Sequence, residues 1–250
     1  MKPVICVSGI ARGNCKRNIS HLEKAFPEIP IYFSTWTEYK NDISEKYKST
    51  YHNEPKVNYN PWLECVSDPP HVKYKEYKEA FINKKNGGLV DNARTTKKLL
   101  HHTKQIIGHA YQLDYDIPLE YDMIIRIRWD TLVSNKVDFT QYLEKSYNEN
   151  IPIGFAIRGG RWTNLDQFKD IEHVHITETT DLTWSRDWHC WINDNMIFHP
   201  RKLFDTKLVH KFNEEKKLWP AEYGWYQMLS VMNNHHCVYG GAAIERFIRA

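Results

Sequence analysis

The sequence predicts an α/β fold in which a mostly parallel central sheet is flanked by helices. An apolar run at residues 3–7 is followed by helical spacing at residues 18–26 and by a second apolar run at residues 29–35. A strand, helix, strand unit of this kind predicts a parallel pair of strands joined by a right-handed crossover. The 250 residues, 41% of them hydrophobic, suffice for one sizeable core and favour a single domain.

The elements that follow are predicted from local periodicity. Residues 38–88 are rich in Lys, Tyr, Asn and Pro with little period, which indicates a long surface excursion. Residues 92–113 recover helical spacing with a basic side, and at residues 121–128 Arg126 and Arg128 alternate with isoleucines, so the two arginines share one face of a strand. The remaining predictions are strands at 151–157, 194–198 and 237–239 and helices at 203–217 and 222–232.

Composition excludes several classes of protein. The 34 basic and 31 acidic residues leave a formal charge of +3, which is too weak a field to require a nucleic-acid partner. No apolar run reaches the about 18 residues of a transmembrane helix, and the first apolar run is too short for a signal peptide. The five cysteines form no C-x-x-C pair, so we expect reduced thiols and a cytoplasmic protein, in the host cytoplasm if a phage encodes it.

Three predicted strands end in polar residues, and this pattern indicates a ligand site. In an open parallel sheet, ligands bind where the carboxyl ends of the strands meet. Small residues there allow close approach of the backbone, an aromatic ring can stack on a base, and guanidinium groups can bind phosphates. We therefore predict a nucleotide-diphosphate site. The residues expected to hold the nucleotide are Ser8, Gly9, Arg12, Thr35 and Trp36, with Arg128 facing the diphosphate.

Asp130 is the predicted metal ligand. Transfer from a nucleotide sugar releases a diphosphate, and a hard cation held by a carboxylate can neutralise its developing charge. We therefore expect Mn²⁺ or Mg²⁺ at Asp130. The alternative is that Asp130 only forms the turn after its strand. His189 or His236 could supply a second ligand.

The order of these segments resembles that of the GT-A-fold glycosyltransferases that build bacterial surface polysaccharides and of their relatives carried by phages. Residues 4–12, 31–36 and 121–130 carry the resemblance. In that family an arginine-x-arginine-x-aspartate segment stands in the place of the aspartate-x-aspartate metal motif, and here Arg128 replaces the first aspartate. The resemblance implies a GT-A-like single domain, a nucleotide-sugar donor with UDP favoured, and a glycan or other hydroxyl acceptor. It also implies that residues 92–94 open the helix that leans over the donor, from which we expect Arg94 to face the diphosphate together with Arg128.

Asp194 and Glu222 are the candidate catalytic carboxylates. An inverting enzyme needs one carboxylate to accept the proton of the acceptor hydroxyl. Asp194 begins a predicted strand, whereas Glu222 could equally be the acidic first turn of a helix. Asp187 is a third candidate with less support.

Other functions remain open at this stage. A sulfotransferase or kinase would also use basic residues on a parallel sheet, but the turn after the first strand lacks the G-x-x-x-x-G-K spacing. A non-catalytic module that binds carbohydrate or nucleic acid could use the nine tryptophans and fifteen tyrosines as stacking platforms. His173 and His175 share a face and could belong to a metallohydrolase, although no carboxylate partner is evident.

Overall fold

The computed structural model describes most of the chain. The described residues are 1–11, 15–43, 47, 49–69, 75, 78–79, 93–133, 138–157, 177–178, 194–229, 238–242 and 244–246. Of these, only the backbone is described at residues 41–42, 93–99, 156–157, 177–178, 221–222, 238–242 and 244–246.

A mixed eight-stranded sheet and a small two-stranded sheet organise the described residues. The strands are β1 (Pro3–Ser8), β2 (Ile31–Trp36), β3 (Ser49–His52), β4 (Met123–Arg128), β5 (Thr131–Val133), β6 (Ile153–Ile157), β7 (Thr177–Glu178), β8 (Met196–Pro200), β9 (Val238–Ala242) and β10 (Ile244–Arg246). The order of the large sheet is β3-β2-β1-β4-β8-β6-β9-β7, and β10 pairs with β5 in the small one. Four of the seven strand pairs in the large sheet are parallel, which confirms the mostly parallel sheet that the sequence predicts.

Helices cover both faces of the sheet, so the strands are buried on both sides. Alternation along β1 shows this directly: Val4 and Cys6 belong to one apolar cluster, and Ile5 and Val7 to the other. Such double coverage is typical of α/β folds and explains why the strands read as continuous apolar runs. The helices are α1 (Cys15–Ala25), α2 (Ala93–Tyr111), α3 (Thr140–Glu149), α4 (Thr206–Glu214) and α5 (Ala221–Leu229).

The first strand, helix, strand unit forms as predicted, with β1 parallel to β2. β1 lies between β2 and β4 and is parallel to both, with Ser8 opposite Arg128. The ends of β1 and β4 therefore meet at one edge of the sheet, which we call the carboxyl edge.

Two features depart from the sequence predictions. The predicted excursion at 38–88 contains a 3-10 helix, Thr37–Asp42, and the short edge strand β3. β8 lies between β4 and β6 and is antiparallel to both. No helix among the described residues is both long and apolar enough to cross a membrane.

Helix α2 approaches the sheet closely at Gly108. A Cβ at this position would lie 2.2 Å from Cη2 of Trp36, far inside van der Waals contact. The absence of a side chain at residue 108 is therefore what allows the helix to rest on the indole ring. After Tyr111 the helix widens into a π-helical turn, Gln112–Asp116.

Candidate functional site

The carboxyl edge brings Asp130 and Asp194 together from distant parts of the sequence. Asp130 lies two residues after the end of β4, and Asp194 lies two residues before the start of β8. Because β8 runs antiparallel to β4, the start of β8 lies beside the end of β4, and the amide of Arg128 donates to the carbonyl of Asn195 at 3.2 Å.

Arg128 lies between the two carboxylates and binds both. Its Nε and Nη2 donate to the two oxygens of Asp130, each at 2.8 Å, in a bidentate pair. Its Nη1 donates to both oxygens of Asp194, at 3.0 and 3.1 Å. The three side chains are almost completely buried, with Asp130 the most exposed at 6%. We call Arg126, Arg128, Asp130 and Asp194 the charge cluster.

The charges of this cluster fix its protonation. Burial raises the pKa of Asp194, but the charges of Arg128 and His102 outweigh it and hold that pKa well below its usual range. Burial likewise disfavours the charged form of Arg128, yet Asp130 and Asp194 raise its pKa above the ordinary value. Asp194 is therefore a carboxylate at neutral pH, and Arg128 is a cation.

Arg126 connects the cluster to the turn after β1. Its Nη1 donates to the backbone carbonyl of Asp194, and its Nη2 donates to Oε1 of Gln105 at 2.5 Å. Gln105 also packs against Gly9, whose φ of +97° is readily available only to glycine. Thr35 donates its hydroxyl to the carbonyl of Gly9 at 2.8 Å. The predicted first turn and the predicted metal ligand thus belong to one connected network.

The structure agrees with the predicted placement of some nucleotide-binding residues and disagrees with the roles predicted for others. Gly9 and Thr35 lie at the carboxyl edge as predicted, and Ser8 is buried there with no hydrogen-bond partner for its hydroxyl in the described part of the chain. Trp36 is fully buried against Gly108, so it offers no ring face to a base, contrary to the stacking role predicted for it. Arg128 is 2% exposed and turned to carboxylates, so it does not face an open diphosphate site in this arrangement.

Several predicted residues cannot be placed. Arg94 and Glu222 lie in α2 and α5, where only the backbone is described. The predicted site residues that lie outside the described ranges are Arg12, His173, His175, Asp187, His189 and His236.

Sequence reasoning missed the polar stripe that α2 presents to the sheet. His102 donates a hydrogen bond from Nδ1 to Oδ2 of the ionised Asp194, at 3.1 Å, and Gln105 accepts one from Arg126. His109 and Gln112 follow at the same helical phase and are fully buried. The signal was present in the spacing of 102, 105, 109 and 112, which matches the i, i+3, i+7 pattern of one helix face.

A shallow cavity of about 460 Å³ opens at the edge strand β3. Its aromatic lining consists of His52, Tyr111 and Tyr115, with ring centroids 5.9 to 6.2 Å apart. Asp116 fixes His52 through a 2.9 Å hydrogen bond, while Tyr115 is 73% exposed. We call this cavity, with residues 53–56 on its rim, the aromatic groove.

The aromatic groove adjoins the charge cluster through α2. Glu54 on the groove rim forms ion pairs with Lys104, at 3.0 Å, and with His101, at 3.5 Å. The next residue, His102, contacts Asp194. Residues of a single turn of α2 therefore contact both sites.

The fit of a divalent cation to Asp130 can be judged from its donors. Carboxylate oxygens suit Mn²⁺ and Mg²⁺. However, both oxygens of Asp130 already accept hydrogen bonds from Arg128. Among the described residues, no group of three His, Cys, Asp or Glu side chains is arranged to hold a metal. As arranged, the carboxylates fit the guanidinium of Arg128 and not a metal.

Comparisons with known proteins give distant structural neighbours. No protein-family model matches the sequence, and a search of curated proteins found no match. The chain is similar to the galactosyltransferase LgtC in complex with donor and acceptor sugar analogs, with 10% identity and a TM-score of 0.39 over 91% of this chain and 70% of that one. It is also similar to residues 1–349 of S. aureus TarS in complex with UDP-GlcNAc, with 11% identity and a TM-score of 0.42 over 100% of this chain and 59% of that one.

A third neighbour comes from Bacillus anthracis, and its name suggests a glucose-1-phosphate thymidylyltransferase, in complex with a sucrose. The identity is 13% and the TM-score 0.40, over 98% of this chain and 88% of that one. This chain spans less than two thirds of the TarS chain. With TM-scores below 0.5 these likenesses are distant, and the function proposed below is argued from the residues of this chain.

Proposed function

We propose that this protein is a glycosyltransferase that moves a sugar from a nucleotide-diphosphate sugar, with UDP favoured, to a hydroxyl acceptor. The observation that carries the proposal is the convergence of Asp130 and Asp194 at the carboxyl edge, next to the Gly9 turn. Ligands of open α/β sheets bind at this edge, and glycosyl transfer needs both a carboxylate to accept a proton and a means to balance a departing diphosphate.

Asp194 is the proposed general base. It is ionised at neutral pH, because the charges of Arg128 and His102 keep its pKa low in spite of its burial. Arg128 and His102 now occupy the oxygens of Asp194, so Arg128 has to release one of them before it can accept the proton of the acceptor hydroxyl. That proton would pass to Asp194 as the acceptor oxygen attacks the sugar and the nucleoside diphosphate departs. His102, hydrogen-bonded to Oδ2 of Asp194, fixes the orientation of that carboxylate. Glu222 remains the alternative base.

The sequence predicts Mn²⁺ or Mg²⁺ at Asp130, and this remains a separate part of the proposal. Since Arg128 now binds both oxygens of Asp130, a metal would have to take the place of those hydrogen bonds.

The test of the reaction is a screen of nucleotide sugars, each with and without MnCl₂, for hydrolysis and for transfer. Calorimetric titration with UDP and other nucleoside diphosphates measures binding of the leaving group alone. We expect binding of at least one nucleoside diphosphate. If none binds under either condition, the proposal fails.

Asp130→Asn separates a catalytic role from a structural one, since the change keeps the size of the side chain and removes its charge. We expect transfer to fall by about 100-fold or more, the size of loss typical of removing one strong electrostatic group. The matched control is Glu120→Gln, another acid-to-amide change, because Glu120 is exposed and pairs only with Lys2 in the described structure. If Asp130→Asn were as active as Glu120→Gln, the proposed role of Asp130 in the reaction would be wrong.

The aromatic groove is the proposed place of the acceptor, and residues 52–56 belong to the segment predicted as a long excursion. Exposed rings can pack on the apolar face of a sugar, and the mixed charges of Glu54 and Lys56 favour a neutral ligand over a polyanion. We expect Tyr115→Ala to raise KM for the acceptor about tenfold, for a loss of about 1.4 kcal/mol of binding, with KM for the donor unchanged. Steady-state kinetics with each substrate varied in turn decides this, and a change in donor KM alone would contradict it.

A further inference from the structure

The charge cluster is electrically balanced by its own side chains. Arg126 and Arg128 supply two positive charges, and Asp130 and Asp194 supply two negative charges, all of them buried. Arg128 makes four contacts of 2.8 to 3.1 Å with carboxylate oxygens, so each oxygen of the two aspartates has a guanidinium partner. A buried carboxylate that lacked such a partner would carry a large desolvation cost.

A divalent cation at Asp130 would compete directly with Arg128. Metal coordination uses the same carboxylate lone pairs that now accept the N–H groups of Arg128. A metal bound beside the guanidinium would also place two cations close together in a site with little water to screen them. The metal and the guanidinium are therefore alternative occupants of one position.

We infer that Arg128 is the resident cation of this site and that a divalent metal binds at Asp130 only by displacing it. The guanidinium of Arg128 thus supplies, within the protein, the positive charge for which the sequence predicts Mn²⁺. The inference concerns the site used by the proposed function, but it depends only on the competition at Asp130. Its test therefore uses the metal alone, without nucleotide or sugar, and either statement can fail without the other.

The first measurement is a titration of the wild-type protein with MnCl₂, in which electron paramagnetic resonance reports the free Mn²⁺. We expect binding weaker than about 1 mM, the weak end of the range for oxygen-ligand sites. Micromolar binding of Mn²⁺ to the wild-type protein without nucleotide would overturn the inference, whatever the variants do.

The second measurement uses Arg128→Met, which keeps most of the side-chain volume and removes the charge. Two carboxylates then lack their cation, and we expect Mn²⁺ to bind at least about tenfold more tightly than to the wild type. Adding Asp130→Asn should abolish this gain. Unchanged or weaker binding by folded Arg128→Met would contradict the inference.

Arg201→Met is the matched control. Arg201 is half-buried, and in the described structure its guanidinium donates to the backbone carbonyls of Leu113, Ile117 and Pro118 and to no carboxylate. We expect no gain in Mn²⁺ affinity for this variant. An equal gain in both arginine variants would show a nonspecific effect of charge and overturn the inference.

Thermal unfolding is the measurement for the case in which Arg128→Met folds but is less stable than the wild type. If Mn²⁺ takes the place of the guanidinium, MnCl₂ should raise the Tm of Arg128→Met and leave that of the wild type unchanged. The absence of any rise at saturating MnCl₂ would count against the inference. A rise of the same size in the variant that also carries Asp130→Asn would do so as well.

Discussion

Helix α2 covers two groups of buried polar side chains, one of which is ionised and the other neutral. Near its start, His102 and Gln105 contact the charge cluster, in which ionised groups satisfy each other. Two turns later, His109 meets His199 with their Nε2 atoms 3.3 Å apart, and both residues are fully buried. The comparison teaches that burial alone does not decide the charge of a polar group, because the partners at hand decide it.

The histidine pair, His109 and His199, is neutral. Burial lowers the pKa of His199 to about 4, and burial together with the neighbouring His199 and Arg126 lowers the pKa of His109 well below its usual range. Nδ1 of His199 donates to the carbonyl of Pro200 at 3.0 Å, so its Nε2 accepts from His109. Nδ1 of His109 then has no hydrogen-bond partner among the described residues, and a proton there would find no acceptor.

Among these predictions, the largest effect is expected when the charge cluster loses the positive charge of Arg128. Arg128→Met removes the guanidinium that binds two buried carboxylates, and we expect the free energy of unfolding to fall by about 3–5 kcal/mol. Urea denaturation at pH 7 measures it. The triple variant that also carries Asp130→Asn and Asp194→Asn should recover only part of the loss, because it has no unpaired carboxylate but leaves the buried charge of Arg126 without its two aspartates. A cost below about 1 kcal/mol for Arg128→Met would mean that the cluster is not held by charge.

Arg126 joins the two regions, so its removal should affect both. It binds Gln105 and the Asp194 carbonyl, and its guanidinium lies 4.6 Å from the ring centroid of Trp225. Burial lowers the pKa of Arg126 to about 9, so it is still a cation at neutral pH. We expect Arg126→Met to cost about 1.5–3 kcal/mol, the value of a charged hydrogen bond.

The same variant should also change the histidine pair, which Arg126 does not touch by hydrogen bond in the described structure. Its charge lowers the pKa of both His109 and His199, so its loss should move both values upward. Titration of the histidine Cε1 protons by NMR in wild type and Arg126→Met checks the direction. Unchanged histidine titration would mean that the two regions are electrostatically separate.

The pH dependence of stability should separate the two regions in the gentlest way. Below the ordinary histidine pKa of 6.5, His109 and His199 are protonated in the unfolded chain but stay neutral in the folded protein, because their folded pKa values are lower. Stability should therefore fall as the pH drops from 6.5 towards the His199 pKa of about 4. The slope is at most about 1.4 kcal/mol per pH unit for each histidine.

Asp194 acts in a lower pH window with the same sign. The folded pKa of Asp194 lies well below its ordinary 3.8, so its contribution is complete above 3.8 and is lost as the pH falls further. Urea denaturation between pH 7 and pH 3 measures both windows. Replacing both histidines by phenylalanine should flatten only the upper one, and a wild-type profile that is flat from pH 6.5 to 4.5 would contradict this assignment.

How far the sequence predicts this structure depends on the range of the interactions. The unit β1, α1 and β2 and the strand that carries Arg126 and Arg128 follow from periodicity over a few residues. The pairing of Asp130 with Asp194 does not, because it depends on β8 inserting antiparallel beside β4, 68 residues further along. No local pattern records which strand will occupy that position.

Trp36 shows that the position of a residue at the end of a strand does not predict whether its side chain is exposed. The strand-end rule correctly places it at the carboxyl edge, yet it gives no information about the helix above. Gly108, 72 residues later, lets α2 cover the ring completely. Four-residue β3 was missed because so short an edge strand carries too little alternation to distinguish it from a loop.

The close packing of α2 on Trp36 means that a change at residue 108 can affect Asp194 without touching it. His102 stands on the same helix as Gly108, six residues earlier, and its reach to Asp194 depends on the height of that helix above the sheet. A methyl group at residue 108 would act as a spacer and lift the helix as a rigid rod. Gly108→Ala should therefore weaken the hydrogen bond between His102 and Asp194, although neither of those residues is altered.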